Sequence, residues 1–187
     1  MLYTTVRAVS LDEIEAAHGS VGGSGRGRRY ATEQINHAYT VLLASQFQGF
    51  CRDLHNECVE ALVNATAPVV IQPMFRAQLL RGRQLDKGNA SRENITADFE
   101  RFRIPFNTQV IAADRRNVGR YRRLLALNTW RNAIAHQDFA RLTVSGTTPV
   151  LRLVTVREWR AACSGLAVSY DRVMRSYLAE ITGTSPW

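Results

Sequence analysis

Lysine is nearly missing from this 187-residue chain: of 24 basic residues only Lys87 is a lysine, and the rest are arginine. Acidic residues number 16, so the formal net charge is +8, with a pI of about 10.1. Such an excess points toward a polyanionic partner. Guanidinium groups suit bidentate contacts to phosphate, although an arginine bias is also what a GC-rich genome produces. Cysteine is scarce. Cys51 and Cys58 stand seven residues apart on an expected helix, a rise of ~10 Å that puts them beyond disulfide reach. No pair of cysteines has metal-ligand spacing, so Cys51, Cys58 and Cys163 read as small buried hydrophobes, and neither metal nor cofactor is expected. Apolar runs of membrane length are lacking, as is a basic-then-apolar leader. The expected location is therefore cytoplasmic, without a membrane partner. Three Asn-X-Ser/Thr triplets, at Asn64, Asn89 and Asn94, then read as coincidences of composition.

What is present is helical periodicity. With 45% hydrophobic residues the chain can bury a core. Residues 9–18 predict a short helix with Ser10 as N-cap and Asp12 and Glu13 in its first turn. Residues 19–30 hold five of the twelve glycines. No strand precedes them and no Gly-Lys-Ser/Thr closes them, so they are no Walker loop. They read as a flexible basic linker, with Arg26, Arg28 and Arg29 available as an arm touching RNA backbone. The organisation expected is 1–30 as a short helix plus a Gly/Arg-rich flexible segment, and 31–187 as a helical domain.

From Ala31 to about Ala65 the pattern is one long helix, capped at Thr32. Its apolar residues at 35, 38, 42, 47, 50, 54, 58 and 62 recur mostly at three- and four-residue steps. His37 and His55 on it read as structural. Pro68 and Pro73 bracket a break before a helix over 73–82. Ser91 caps a helix over 92–102, Pro105 ends that segment, and 107–117 is ambiguous. Asn117 caps the next helix, 118–136, whose apolar stripe is 121, 124, 125, 127, 130, 133 and 134. "RLTVS" and "VLRLVT" around "GTTP" predict a small hairpin. Thr155 and Glu158 form a capping box for a last helix over 156–182, with core residues Leu166, Val173, Tyr177, Leu178 and Ile181, stopped at Gly183. The class is all-α: a bundle of four or five helices with a small β-hairpin before the last.

The stretch "LNTWRNAIAHQDF" (127–139) carries candidate chemistry. Metal-free RNA cleavage needs an acceptor for the 2′-hydroxyl proton, a donor for the 5′-oxygen, and positive charge on the phosphorane-like transition state. Histidine, with an unperturbed pKa of ~6.5, serves either proton role. Arginine stays charged and offers several donors. On an ideal helix Arg131 and His136 point roughly 140° apart, whereas Asn132 and His136 share a face. Convergence of Arg131 with His136 needs a helix that loosens near His136, or a second copy facing the first.

"WRNAIAHQDF" resembles the signature of the HEPN superfamily of all-helical ribonucleases and RNA-binding proteins: Arg, four to six residues, then His, with Asn favoured after the Arg. The long helix "INHAYTVLLASQFQGFCRDLHNECVEAL" and the ending "VMRSYLAEITGTSPW" are similar to the RiboL-PSP-HEPN and related prokaryotic branches, over about residues 31–187. The resemblance implies a homodimer with facing motifs and a metal-independent endoribonuclease that leaves a 2′,3′-cyclic phosphate. It implies Arg131 and His136 as catalytic residues with Asn132 as the motif's polar member. It further implies a toxin or phage-defence role, opposed by an antitoxin or regulatory protein. In HEPN toxins paired with a nucleotidyltransferase antitoxin, a modified Tyr stands two places after the His; Asp138 occupies that place here, where it is expected to hold His136. Arg120 and Arg123, with Arg28 and Arg29, are the candidate RNA contacts, while Arg122 is expected only to solvate its helix. The competing reading is a catalytically silent HEPN module that binds RNA or a protein. A DNA-binding regulator lacks a helix-turn-helix pair with a short Gly turn.

Overall fold

The computed structural model describes residues 2–143, 147 and 149–187, with side chains described from Ser10 onward. Seven α-helices account for most of them: α1 (Leu2–Ser20), α2 (Arg26–Thr66), α3 (Gln72–Leu80), α4 (Arg92–Phe99), α5 (Phe106–Ala113), α6 (Asn117–His136) and α7 (Leu153–Thr182). All-α is the class, with more helices than the four or five expected of the bundle: the short N-terminal helix adds α1, longer than predicted, and the ambiguous 107–117 stretch is mostly α5. Among the described residues there is no β-strand. The hairpin expected around residues 141–155 falls partly outside the described residues, at 144–146 and 148. Of the rest, Arg141 and Leu142 belong to a 3₁₀ turn and Leu153–Thr155 already belong to α7.

Three long helices make the frame. Tyr39 lies against Arg160 and Phe47 against Tyr170, so α2 and α7 run in the same direction. Asn117 meets Ser169 near one end and Trp130 meets Trp159 near the other, so α6 runs against α7. The centre is aromatic: Phe99 stacks on Phe106 at 4.5 Å, and Phe106, Phe47 and Tyr121 surround the fully buried Tyr170 at 5.2, 6.2 and 6.5 Å. Such ring pairs add ~0.5–1.5 kcal/mol each beyond the apolar area they bury.

The face that α2 buries is turned by about one residue from the apolar stripe. Phe47, Leu54 and Cys58 are buried as expected, but Ala38 is exposed, and the buried row includes Asn36, Thr40 and His55. Each of these side chains makes one hydrogen bond that offsets part of the cost of its burial, while Asn36 Oδ1 and His55 Nδ1 have no hydrogen-bond partner. Asn36 donates to the Leu151 carbonyl at 2.9 Å, Thr40 to the Asn36 carbonyl at 2.8 Å, and His55 Nε2 to the Asp98 carbonyl at 3.1 Å. Burial pushes the His55 imidazole down to about 4.

Several helix starts differ from the sequence-based expectations. Ser10 is inside α1, and Leu11 joins the core. The α2 helix begins at Arg26, so the second half of the expected linker is helical; only Val21–Gly25 separates it from α1. Thr32 is therefore interior and bonds back to the carbonyls of Arg28 and Arg29. Asn117 is buried and donates to the Val110 carbonyl; Asp114 instead accepts the Arg116 N–H at the start of α6. Thr155 lies within α7, which has Arg152 at its N-cap and no capping box. Ser91 does cap α4, accepting from the Asn94 N–H, and Gly183 does end α7 with φ 74°.

A salt-bridged joint ties α1 to the frame: Arg160 reaches Asp12 and Glu15, Arg157 reaches Glu15, and Tyr39 donates to Glu15 at 2.6 Å. The arginine partners and the Tyr39 hydroxyl outweigh burial and hold the Glu15 carboxyl below its ordinary range.

Candidate nucleolytic site at the end of α6

The α6 helix is regular through His136. Its last carbonyls are closed by Gln137 N–H to Ile134 and Asp138 N–H to Ala133, a Schellman arrangement. It requires Gln137 to be left-handed, φ 55°, a conformation usually given to glycine. The helix therefore does not loosen before His136, and Arg131 and His136 stay on different sides of it. Asp138 does not hold His136: it accepts the Ala140 N–H at 3.1 Å, starting the 3₁₀ turn Ala140–Leu142. Asp138 is thus spent on the turn that leads the chain away from α6.

Asn132 is the pivot of the site. Its Oδ1 accepts from Arg131 Nη1 at 3.1 Å and from Asn89 Nδ2 at 2.8 Å. One turn earlier Asn128 donates to the Ala90 carbonyl at 3.0 Å. The segment carrying Asn89 is fixed from below. The buried Asp98 carboxylate accepts the N–H groups of Gln84 and Leu85, at 2.9 and 2.8 Å. Gln48 reaches the carbonyls of Leu85 and Gly88, and Arg52 that of Leu85. Asn89 therefore orients Asn132 from a rigid loop. The role of Asn89 is not legible in the sequence, because it depends on a contact between residues 43 positions apart.

Arg131 is half-buried, yet among the described residues it has no carboxylate partner, only the neutral Asn132. Other arginines at helix joints are neutralised: Arg76 by Glu60, Arg83 by Asp86, Arg101 by Asp98, Arg160 by Asp12 and Glu15. His136 is exposed, and among the described residues its ring makes no hydrogen bond or ion pair. A half-buried cation left uncompensated is an arrangement that accepts an anion, and the exposed His136 imidazole stands on another side of the same helix end.

The candidate RNA contacts divide. The Arg120 guanidinium is committed to the α6–α7 joint, donating to Asp114 at 2.8 Å and Asn117 at 2.6 Å while lying over Gly165. Arg116 and Arg120 hold the Asp114 carboxyl well below the usual carboxylate range. Arg123 is half exposed, 3.9 Å from Glu158. Arg28 and Arg29 lie exposed in the first turn of α2 beside the exposed Tyr30. Arg122 is exposed on α6, as expected for a solvating residue.

Among the described residues no group of His, Cys, Asp and Glu is arranged to hold a metal ion, and no helix is long and apolar enough to cross a membrane. Cys51, Cys58 and Cys163 are buried, and burial raises the thiols of Cys58 and Cys163. No protein-family model, curated protein or solved structure matches the chain.

Proposed function

We propose that the chain is a HEPN-like, metal-independent endoribonuclease working as a homodimer, with Arg131, Asn132 and His136 as its catalytic group. The observation that carries this reading is the uncompensated Arg131 guanidinium, held by Asn132 at 3.1 Å in a protein whose joint-forming arginines are paired with carboxylates.

In the proposed reaction the 2′-oxygen attacks the adjacent phosphorus and its proton passes to a base. The P–O5′ bond breaks, and the 5′-oxygen takes a proton from an acid. The products are a 2′,3′-cyclic phosphate and a free 5′-hydroxyl. Arg131 stabilises charge on the non-bridging oxygens, and imidazole serves the proton transfers. The Nδ2 of Asn132, which makes no hydrogen bond among the described residues, is available to a phosphate oxygen.

Two copies supply two imidazoles, one for each proton role. The outward line of α6 supports a second copy. Val118, Arg122, Leu125, Thr129, Asn132 and His136 fall within an arc of ~80° around an ideal helix. Val118 and Leu125 on that line are 43% and 67% exposed. Leu125, expected in the core stripe, is thus apolar surface in line with His136. A biological role as toxin or defence effector, controlled by an antitoxin or regulatory protein, follows from the family resemblance. A silent RNA- or protein-binding module needs neither the free imidazole nor the uncompensated guanidinium.

The test is an RNA oligonucleotide incubated with the protein in EDTA, beside the same strand carrying 2′-deoxy residues at the cut positions. Cleavage of the first, protection of the second, and a cyclic phosphate on the 5′ fragment are expected. Cutting of the 2′-deoxy strand at the same positions would refute 2′-hydroxyl attack.

A further inference from the structure

Next to the motif, where α2 and α6 meet, is a cleft of about 230 Å³ lined by Glu33, Gln34, His37, Trp130, Phe139 and Pro149. Trp130 immediately precedes Arg131, and Phe139 follows His136 by three residues. The walls are flat rings: His37 stacks on Phe139 at 5.7 Å and 24°, and lies 6.2 Å from Trp130. The volume is below the ~300–1,000 Å³ of sites for drug-sized ligands and suits one ring system.

Its polar groups say which kind of ring. Glu33 and His37 lie one turn apart on α2, with Gln34 beside them. A carboxylate in the wall repels phosphate and accepts from N–H groups. The Nε2 of His37 is buried without a hydrogen-bond partner, a state that calls for a functional or ligand-based explanation. Burial lowers the His37 imidazole, against a smaller opposing effect of Glu33, and a neutral imidazole carries one donor and one acceptor.

We infer that this cleft is a nucleobase subsite of the proposed ribonuclease, taking an amine-bearing base, guanine foremost, of the RNA strand whose phosphate meets Arg131. Guanine's Watson–Crick edge sets a ring N–H beside an exocyclic amine, two adjacent donors for one carboxylate. Single-stranded RNA is commonly read in this way, by stacking on aromatic side chains and hydrogen bonding along that edge. The inference rests on the ribonuclease reading, and its test is independent of cleavage.

Calorimetric titration of the whole protein with GMP, AMP, CMP and UMP is the experiment, on wild type, Glu33→Gln and Arg131→Ala. Glu33 is partly exposed on α2, and the glutamine variant preserves its shape. Wild type should bind GMP at least tenfold tighter than UMP. Glu33→Gln should bring that ratio close to one. Arg131→Ala should weaken all four nucleotides together and leave the ratio in place. Equal affinities in wild type, absence of binding by all four nucleotides, or a preference that survives Glu33→Gln would each overturn the subsite. A base preference without RNA cleavage would refute the ribonuclease reading alone. Cleavage without a base preference would refute the subsite alone.

Discussion

Replacing Gly165 by alanine tests the joint that sets α6 against α7. In a helix interior that exchange ordinarily gains ~0.5–1 kcal/mol. Here the added Cβ would fall 2.3 Å from Arg120 Nε and 2.5 Å from its Cζ, so the guanidinium must leave. It would leave behind the Oδ1 of Asn117, a residue with 0% exposure, to which it donates at 2.6 Å. Hydrogen bonds to charged groups contribute ~1.5–3 kcal/mol, so the loss exceeds the helical gain, and Gly165→Ala should destabilise by ~1–2 kcal/mol. In an Arg120→Ala background the obstacle is gone, and the same exchange should stabilise by ~0.5–1 kcal/mol. The sign reversal corresponds to a coupling of ~1.5–3 kcal/mol between the positions. Urea denaturation followed by circular dichroism on the four proteins of the cycle measures it. An equal effect of Gly165→Ala in both backgrounds would refute the reasoning.

Acid stability should carry the signature of His55. Its folded-state value, about 4, lies below the ordinary 6.5, so the unfolded chain binds the extra proton between those values and stability rises with pH across that window. Lowering the pH from 6.5 to 4 should remove about 3 kcal/mol, and His55→Gln should flatten this limb in urea titrations at several pH values. Gln137→Gly should raise stability by ~0.5–1 kcal/mol, because only glycine adopts φ 55° without strain; a melting curve reads it. Asn89→Ala should lower kcat by about tenfold with little change in KM, since it frees Asn132 without touching Arg131 or His136. Steady-state cleavage kinetics on a labelled RNA give both constants.

The parts of the fold legible in the sequence are those that local chemistry decides. Long helices are visible in the three- and four-residue steps of α2, α6 and α7, and the Ser91 cap and Gly183 stop need only their neighbours. Four other expected helix starts were misplaced. Thr32, Asn117 and Thr155 have the right side chains, but packing carries each helix past them or draws them inward. The buried face of α2 is turned because Asn36 and His55 bond to the carbonyls of Leu151 and Asp98, 115 and 43 residues away, and Thr40 bonds back to the Asn36 carbonyl; no window along the chain contains the first two partners. At the candidate site the motif residues could be named in advance, and so could the shared face of Asn132 and His136. Asn89, the Arg120 joint and the commitment of Asp138 to the following turn could not, since they depend on how α6 meets the 84–90 segment, α5 and α7.

The most direct measurement of the central claim is cleavage of labelled RNA in EDTA by wild type, Arg131→Ala and His136→Ala, each verified as folded by circular dichroism. Wild type should cut, both variants should lose at least a hundredfold in rate, and all three should still retard RNA in a gel. Intact RNA with wild type, or cleavage undiminished in both variants, would contradict the assignment of the site.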